Sequence, residues 1–170
     1  MQIGPQVFRR MAAYNVWMTE KAYAAAGKLS DAERKEDRGA FFKSIHSTLN
    51  HLLFADRVWM GRFAGKAYEH KGMGVDIYDD FDELKAAHLA MCGDISVFSK
   101  GLTEDWLAET MKWVRTTDGL AREHPRWFLV LHMFNHQTHH RGQVSTLLTQ
   151  AGIDIGVTDL PGMPDLIAEA

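Results

Sequence analysis

The sequence predicts an all-α protein: a four-helix bundle with a short β-hairpin ahead of its last helix, forming one domain over residues 1–170. Two observations carry this. Four stretches of roughly 20 to 28 residues repeat apolar side chains at spacings of three and four. Only one short segment, around Asp118-Gly119, changes to an extended pattern, and no internal repeat or low-complexity tract competes. A chain of 170 residues that is 46% hydrophobic and 24% charged suits a single domain with a substantial core.

The first helix starts at Pro5, where a missing N–H costs nothing, and runs to about Gly27 with the stripe Phe8, Met11, Asn15, Met18, Ala22, Ala25. A charged connection, SDAERKEDRG, leads to a second helix from about Ala40 to Phe63. Its apolar side holds Phe42, Ile45, Leu49, Leu52, Trp59 and Phe63, with Asp56 in the middle. Residues 64–78 contain four glycines and no periodicity, so they read as a crossover loop, longer than an antiparallel neighbour needs. The third helix opens on Asp79, Asp80 and Asp82, which suit the positive end of the helix dipole. It keeps Phe81, Leu84, His88, Met91, Ile95 and Phe98 in register up to Gly101. The segment between Glu109 and Glu123 reads as a two-stranded excursion, and the fourth helix runs from near Pro125 to Gly152.

Composition removes several function classes. A net charge of −3 with no dense Lys/Arg cluster gives no footprint for nucleic acid or an anionic membrane. The stretch MQIGPQVFRR lacks an apolar signal core, and no run of about 18 apolar residues occurs, so a cytoplasmic protein is expected. Cys92 is the single cysteine, which excludes an internal disulfide, and no neighbouring His activates it.

The chemistry concentrates in the last helix, where His132, His136, His139 and His140 precede Arg141, Gly142 and Gln143. His136 and His140 are one turn apart on one face, so both imidazoles can reach one metal ion. They lie on the stripe Leu129, Met133, His136, His140, Gln143, Leu147, which predicts polar groups turned toward the core and in need of a partner. Three imidazoles with open positions make a catalytic rather than a structural centre. The third would come from His46, His51, His70, His88 or His124; periodicity slightly favours His88, which is central in its stripe, over His51 at an edge. Ordinary imidazoles, with a pKa near 6.5, would release the ion steeply below about pH 6. Asp56 reads as a partner for a ligand imidazole or for Arg141, Gln143 as an orienting group, and Tyr14 and Asn15 as residues facing the same inner space.

The segments SIHSTLNHLLFADRVW and LHMFNHQTHHRGQVSTLLTQAG, with YNVW at 14–17, the Asp-Gly turn and the terminal TDL, resemble the DinB (damage-inducible) family. Its superfamily also contains mycothiol-dependent maleylpyruvate isomerase and the bacillithiol transferases. The resemblance spans nearly the whole chain, with HHRGQ its most specific part. It implies an up-down-down-up bundle, often dimeric, and a metal held by residues matching His51, His136 and His140. A metal-dependent hydrolase or thiol S-transferase is therefore expected, acting on a small molecule, with a low-molecular-weight thiol as one candidate partner. The ion would be a divalent Zn, Ni, Co, Cu or Fe, with Zn or Ni first among them. The alternative is a non-enzymatic, stress-related metal-binding protein whose ion staples the bundle. No residue beyond the ligands is assigned a catalytic role.

Overall fold

A computed structural model describes residues 4–70, 72–115 and 117–164. Four long helices build it: α1 (Pro5–Ala26), α3 (Ile45–Phe63), α4 (Phe81–Lys100) and α6 (Arg126–Gln150). Two short helices, α2 (Asp31–Lys35) and α5 (Glu104–Ala108), lie in the connections, and β1 (Thr110–Val114) pairs antiparallel with β2 (Ala121–Pro125) before α6. The long helices begin and end on local signals. Pro5 opens α1, the Asp80 carboxylate caps the Asp82 and Glu83 amides of α4, and Gly101 closes it.

Cross-helix contacts set the directions. Tyr23 meets His88 while Asn15 meets Cys92, so α1 and α4 run antiparallel; Phe8 meets Phe134 while Asn15 meets Arg141, so α1 and α6 run parallel. Asp56 approaches His88 and Phe63 stacks on Phe98, so α3 and α4 are also parallel. The result is the expected up-down-down-up bundle, with the long loop between α3 and α4 carrying the chain back to the starting end. Asn50 pins the end of that loop: its Oδ1 accepts from the Ile77 and Tyr78 amides at 2.9 and 3.0 Å.

Three local expectations are corrected. The second long helix starts at Ile45, because Ala40–Lys43 forms a tight turn and the Ser44 hydroxyl caps the Ser47 amide. The charged connection contains α2, held by a capping box between Ser30 and Glu33. The stretch before the hairpin holds α5, capped by Thr103.

The core has two large apolar clusters and a small one of Tyr14, Met18 and Met163. Of the large ones, one gathers Tyr23, Ile45, Leu49, Leu53, Leu84 and Leu148; the other Phe8, Trp59, Ile95, Leu129, Met133 and Phe134. Between them lies a buried polar layer of Asn15, Asp56, His88, Cys92, Gln137 and Arg141. The core-facing stripe of α6 is therefore Val130, Phe134, Gln137, Arg141, Val144, Leu148, each no more than 5% exposed. The predicted histidine stripe has the same spacing but lies one residue, about 100°, to its side. It too is largely buried, with Leu129, Met133, His140 and Leu147 in the interior, while His136 and Gln143 are part-buried at its edge.

Candidate metal centre

α3 and α6 bring His51, His136 and His140 together. The His136 Nε2 lies 3.1 Å from His140 Nε2 and 3.4 Å from His51 Nε2, and one ligand atom of each residue falls within 4.8 Å of the others. Two imidazole nitrogens bound at about 2.0–2.1 Å to a tetrahedral ion would be about 3.4 Å apart, so the spacing fits one ion. His140 is already oriented for this: its Nδ1–H donates to Gln143 Oε1 at 2.7 Å, leaving the Nε2 lone pair toward the other two rings. No fourth His, Cys, Asp or Glu joins the three among the described residues. The donor set thus fits a divalent transition metal with open coordination positions.

Burial dominates the electrostatics. It pushes the His51 imidazole down to about 3, with the neighbouring His140 adding to the effect. It likewise lowers His136 to about 3, helped by repulsion from His140, His51, His132 and His139. His140 is lowered by burial and partly restored by the Gln143 bond. The His51 and His136 rings therefore stay neutral well below the range in which ordinary imidazoles take up a proton, and the His140 ring is shifted the same way.

The other histidines have different tasks. His46 Nε2 bonds the Tyr78 carbonyl at 2.9 Å, and His124 accepts from the Trp113 indole at 3.1 Å. His132 and His139 are exposed, and His70 packs edge-on to Phe54. His88, the residue that periodicity slightly favours, is 2% exposed in the polar layer, with Nδ1 at 3.1 Å from the Tyr23 hydroxyl and Nε2 at 3.6 Å from Asp56.

Asp56 meets neither predicted partner. Its Oδ1 accepts from the Gln137 amide at 2.8 Å, and Gln137 is a buried residue outside the predicted histidine stripe. Arg141 instead donates to Asn15 and, at 3.3 Å, to Thr138, and its guanidinium lies 5.3 Å from the Tyr14 ring centre. Burial lowers its pKa, while Tyr14 and Asp56 oppose that shift. The Tyr14 hydroxyl donates to the Thr158 carbonyl at 2.6 Å, so Tyr14 secures the carboxy-terminal segment and Asn15 the polar layer. Cys92 is buried and its thiol is pushed up to about 12, chiefly by desolvation, which makes it unreactive.

Two recesses lie beside residues that touch these rings. One of about 200 Å³, lined by Phe54, Tyr68, His70 and Ile77, adjoins His51 through Phe54; another of about 400 Å³, lined by Arg38, Phe41, His139 and Gln143, adjoins His140.

A helical bundle with three imidazoles meeting between two of its helices has the form of a metal-site bundle protein. The particular kind emerges from comparison: residues 5–169 match the DinB family, and the chain belongs to it. The protein is similar to Protein DinB of Bacillus subtilis (strain 168), at 22% identity over 156 residues, covering 88% of this chain and 89% of that one. Its fold is similar to the crystal structure of a DinB-like protein from Bacillus cereus ATCC 10987. That similarity has a TM-score of 0.60 at 18% identity and covers 82% of this chain and 89% of the other.

Proposed function

We propose that this chain is a metal-dependent enzyme acting on a small molecule, either a hydrolase or a thiol S-transferase, with His51, His136 and His140 as ligands to a divalent ion such as Zn or Ni. The observation that carries the reading is the convergence of three neutral imidazoles with no fourth protein donor nearby among the described residues. A bound divalent ion would lower the pKa of water toward 7 or hold a thiolate, so both reactions are chemically available.

The chain's own residues supply the rest. Gln143 holds the His140 ring, and burial keeps the His51 and His136 rings neutral, each with one nitrogen lone pair to offer. The two recesses, next to Phe54 and Gln143, are the places beside the ligands where a small substrate would sit. Asp56 and Arg141 are occupied inside the bundle and support α6 rather than touch substrate. None of the described helices is long and apolar enough to cross a membrane. We infer a cytoplasmic protein from the sequence pattern and a homodimer from the family resemblance.

Elemental analysis of untagged protein, followed by thiol-transfer and hydrolase panels on the loaded form, tests this. One ion per chain and metal-dependent turnover of at least one substrate class are expected. A stoichiometric ion without turnover, combined with collapse of the fold on chelation, would favour the stapling role instead.

A further inference from the structure

The two most buried ligands are held by different means. His140 has a hydrogen-bond acceptor for its outer nitrogen in Gln143, the usual arrangement for a ligating imidazole. His51 has none: its Nδ1 is buried without a hydrogen-bond partner. The His51 ring is instead stacked between two phenyl rings. Phe42 lies almost parallel at 3.8 Å between ring centres with 19° between planes, and Phe54 lies at 6.2 Å and 28°. Phe42 also meets His140 edge-on at 5.6 Å, so it covers two ligands at once.

The backbone that presents Phe42 is strained. Lys43 has φ 66°, the one positive φ outside glycine among the described residues. The Ser44 amide bonds back to the Phe42 carbonyl at 2.7 Å, a three-residue turn about Lys43 of a rare and strained kind. The Lys43 amide bonds to the Ala40 carbonyl at 2.8 Å, and the Arg38 amide to the Lys43 carbonyl at 2.9 Å, locking the conformation. A lysine held in the left-handed region immediately before a helix cap needs a reason. The turn lays the Phe42 ring on His51, while Phe41 beside it is 77% exposed.

We propose that Phe42 is a positioning residue: its stacked ring fixes the plane of the His51 imidazole in place of the missing hydrogen bond, and so sets the geometry of the third metal ligand. The inference rests on the three-histidine metal reading. A ligated imidazole would be electron-poor, which favours contact with a phenyl face, so the stack would be compatible with a bound ion.

Cobalt(II) titration of untagged protein, followed by visible absorption and chelator competition, tests this on wild type, Phe42→Leu and Phe42→Tyr. Leucine keeps apolar volume without a ring. Phe42→Leu is expected to lose roughly 10- to 100-fold in affinity, the usual effect of removing a ligand's support, with an altered visible band. Phe42→Tyr should restore both. Unchanged affinity and spectrum in Phe42→Leu, or equal loss in both variants, would overturn the role of the ring. A measurement on wild type guards against misfolding: the His51 ring protons of the zinc-loaded protein should be shifted upfield relative to those of His136 by the Phe42 ring current, and absence of that shift refutes the proposal. If wild type binds no cobalt, the metal reading itself fails. If it binds and the ring proves irrelevant, only this inference fails.

Discussion

Acidification should destabilise the metal-free protein through His51 and His136, and the size of the effect comes from their burial. Each imidazole has an unfolded pKa near 6.5 and a folded pKa of about 3. Above pH 6.5 both states carry neutral rings, so nothing is lost. Below it the unfolded chain takes up protons that the folded site refuses, and stability falls with decreasing pH until the folded value of about 3 is reached. At pH 5 the penalty is about 2 kcal/mol per ring, and the solvent-facing side of the site reduces the pair to about 2 to 4 kcal/mol in total. The interval from pH 7.5 to 5 leaves carboxylates largely ionised, so imidazoles dominate the change. The assay is urea denaturation of chelator-treated protein at both pH values, comparing wild type with the double variant His51→Gln/His136→Gln. Wild type is expected to lose about 2 to 4 kcal/mol more than the variant, because all other titrating groups are common to both. Losses that agree within about 1 kcal/mol would refute burial as the cause of the depressed values.

Single substitutions His51→Ala, His136→Ala and His140→Ala should each abolish stoichiometric metal binding in elemental analysis, whereas His132→Ala and His139→Ala, both exposed, should retain it. Asp56→Ala removes the acceptor of Gln137 and the neighbour of His88 while leaving the Arg141 cation buried. It should cost about 1 to 3 kcal/mol in urea denaturation, the penalty for leaving the Gln137 amide buried without its acceptor. Chelation should lower the melting temperature in proportion to the logarithm of the free metal removed, with far-ultraviolet helicity nearly unchanged, since both large apolar clusters form without an ion.

The elements legible in the sequence are those with local signals. Pro5, the aspartates before Phe81, Gly101 and the Asp118-Gly119 turn mark ends that chemistry enforces within a few residues. The Ala40–Lys43 turn is not legible, because its positive φ falls on a lysine rather than a glycine and the preceding Phe41-Phe42 pair continues the helical pattern. The family resemblance supplies His51, and periodicity points elsewhere for an instructive reason. The centre of an apolar stripe is the deepest place on a helix, and His88 is indeed there, whereas His51 lies at the edge of its stripe, where α3 meets α6.

That distinction accounts for α6 as a whole. Two stripes of identical 4,3,4,3,4 spacing run along it one residue apart, one through His136 and His140 and the other through Gln137 and Arg141. Spacing alone cannot say which faces inward. Both are largely buried, but the second is buried at every position, and its polar residues are bonded in large part by Asn15, Thr138 and Asp56. Each turn of the helix therefore places a histidine of the cluster beside a core anchor. The polar layer fixes the rotation of α6 about its axis, since turning the helix by one residue would swap a buried guanidinium for an imidazole and break the Asn15 and Asp56 bonds. Fixing that rotation is what aims His136 and His140 at His51 across the bundle. The buried charges thus orient the ligand helix from behind, which is why loss of Asp56 should weaken metal binding as well as the fold, although it touches no ligand.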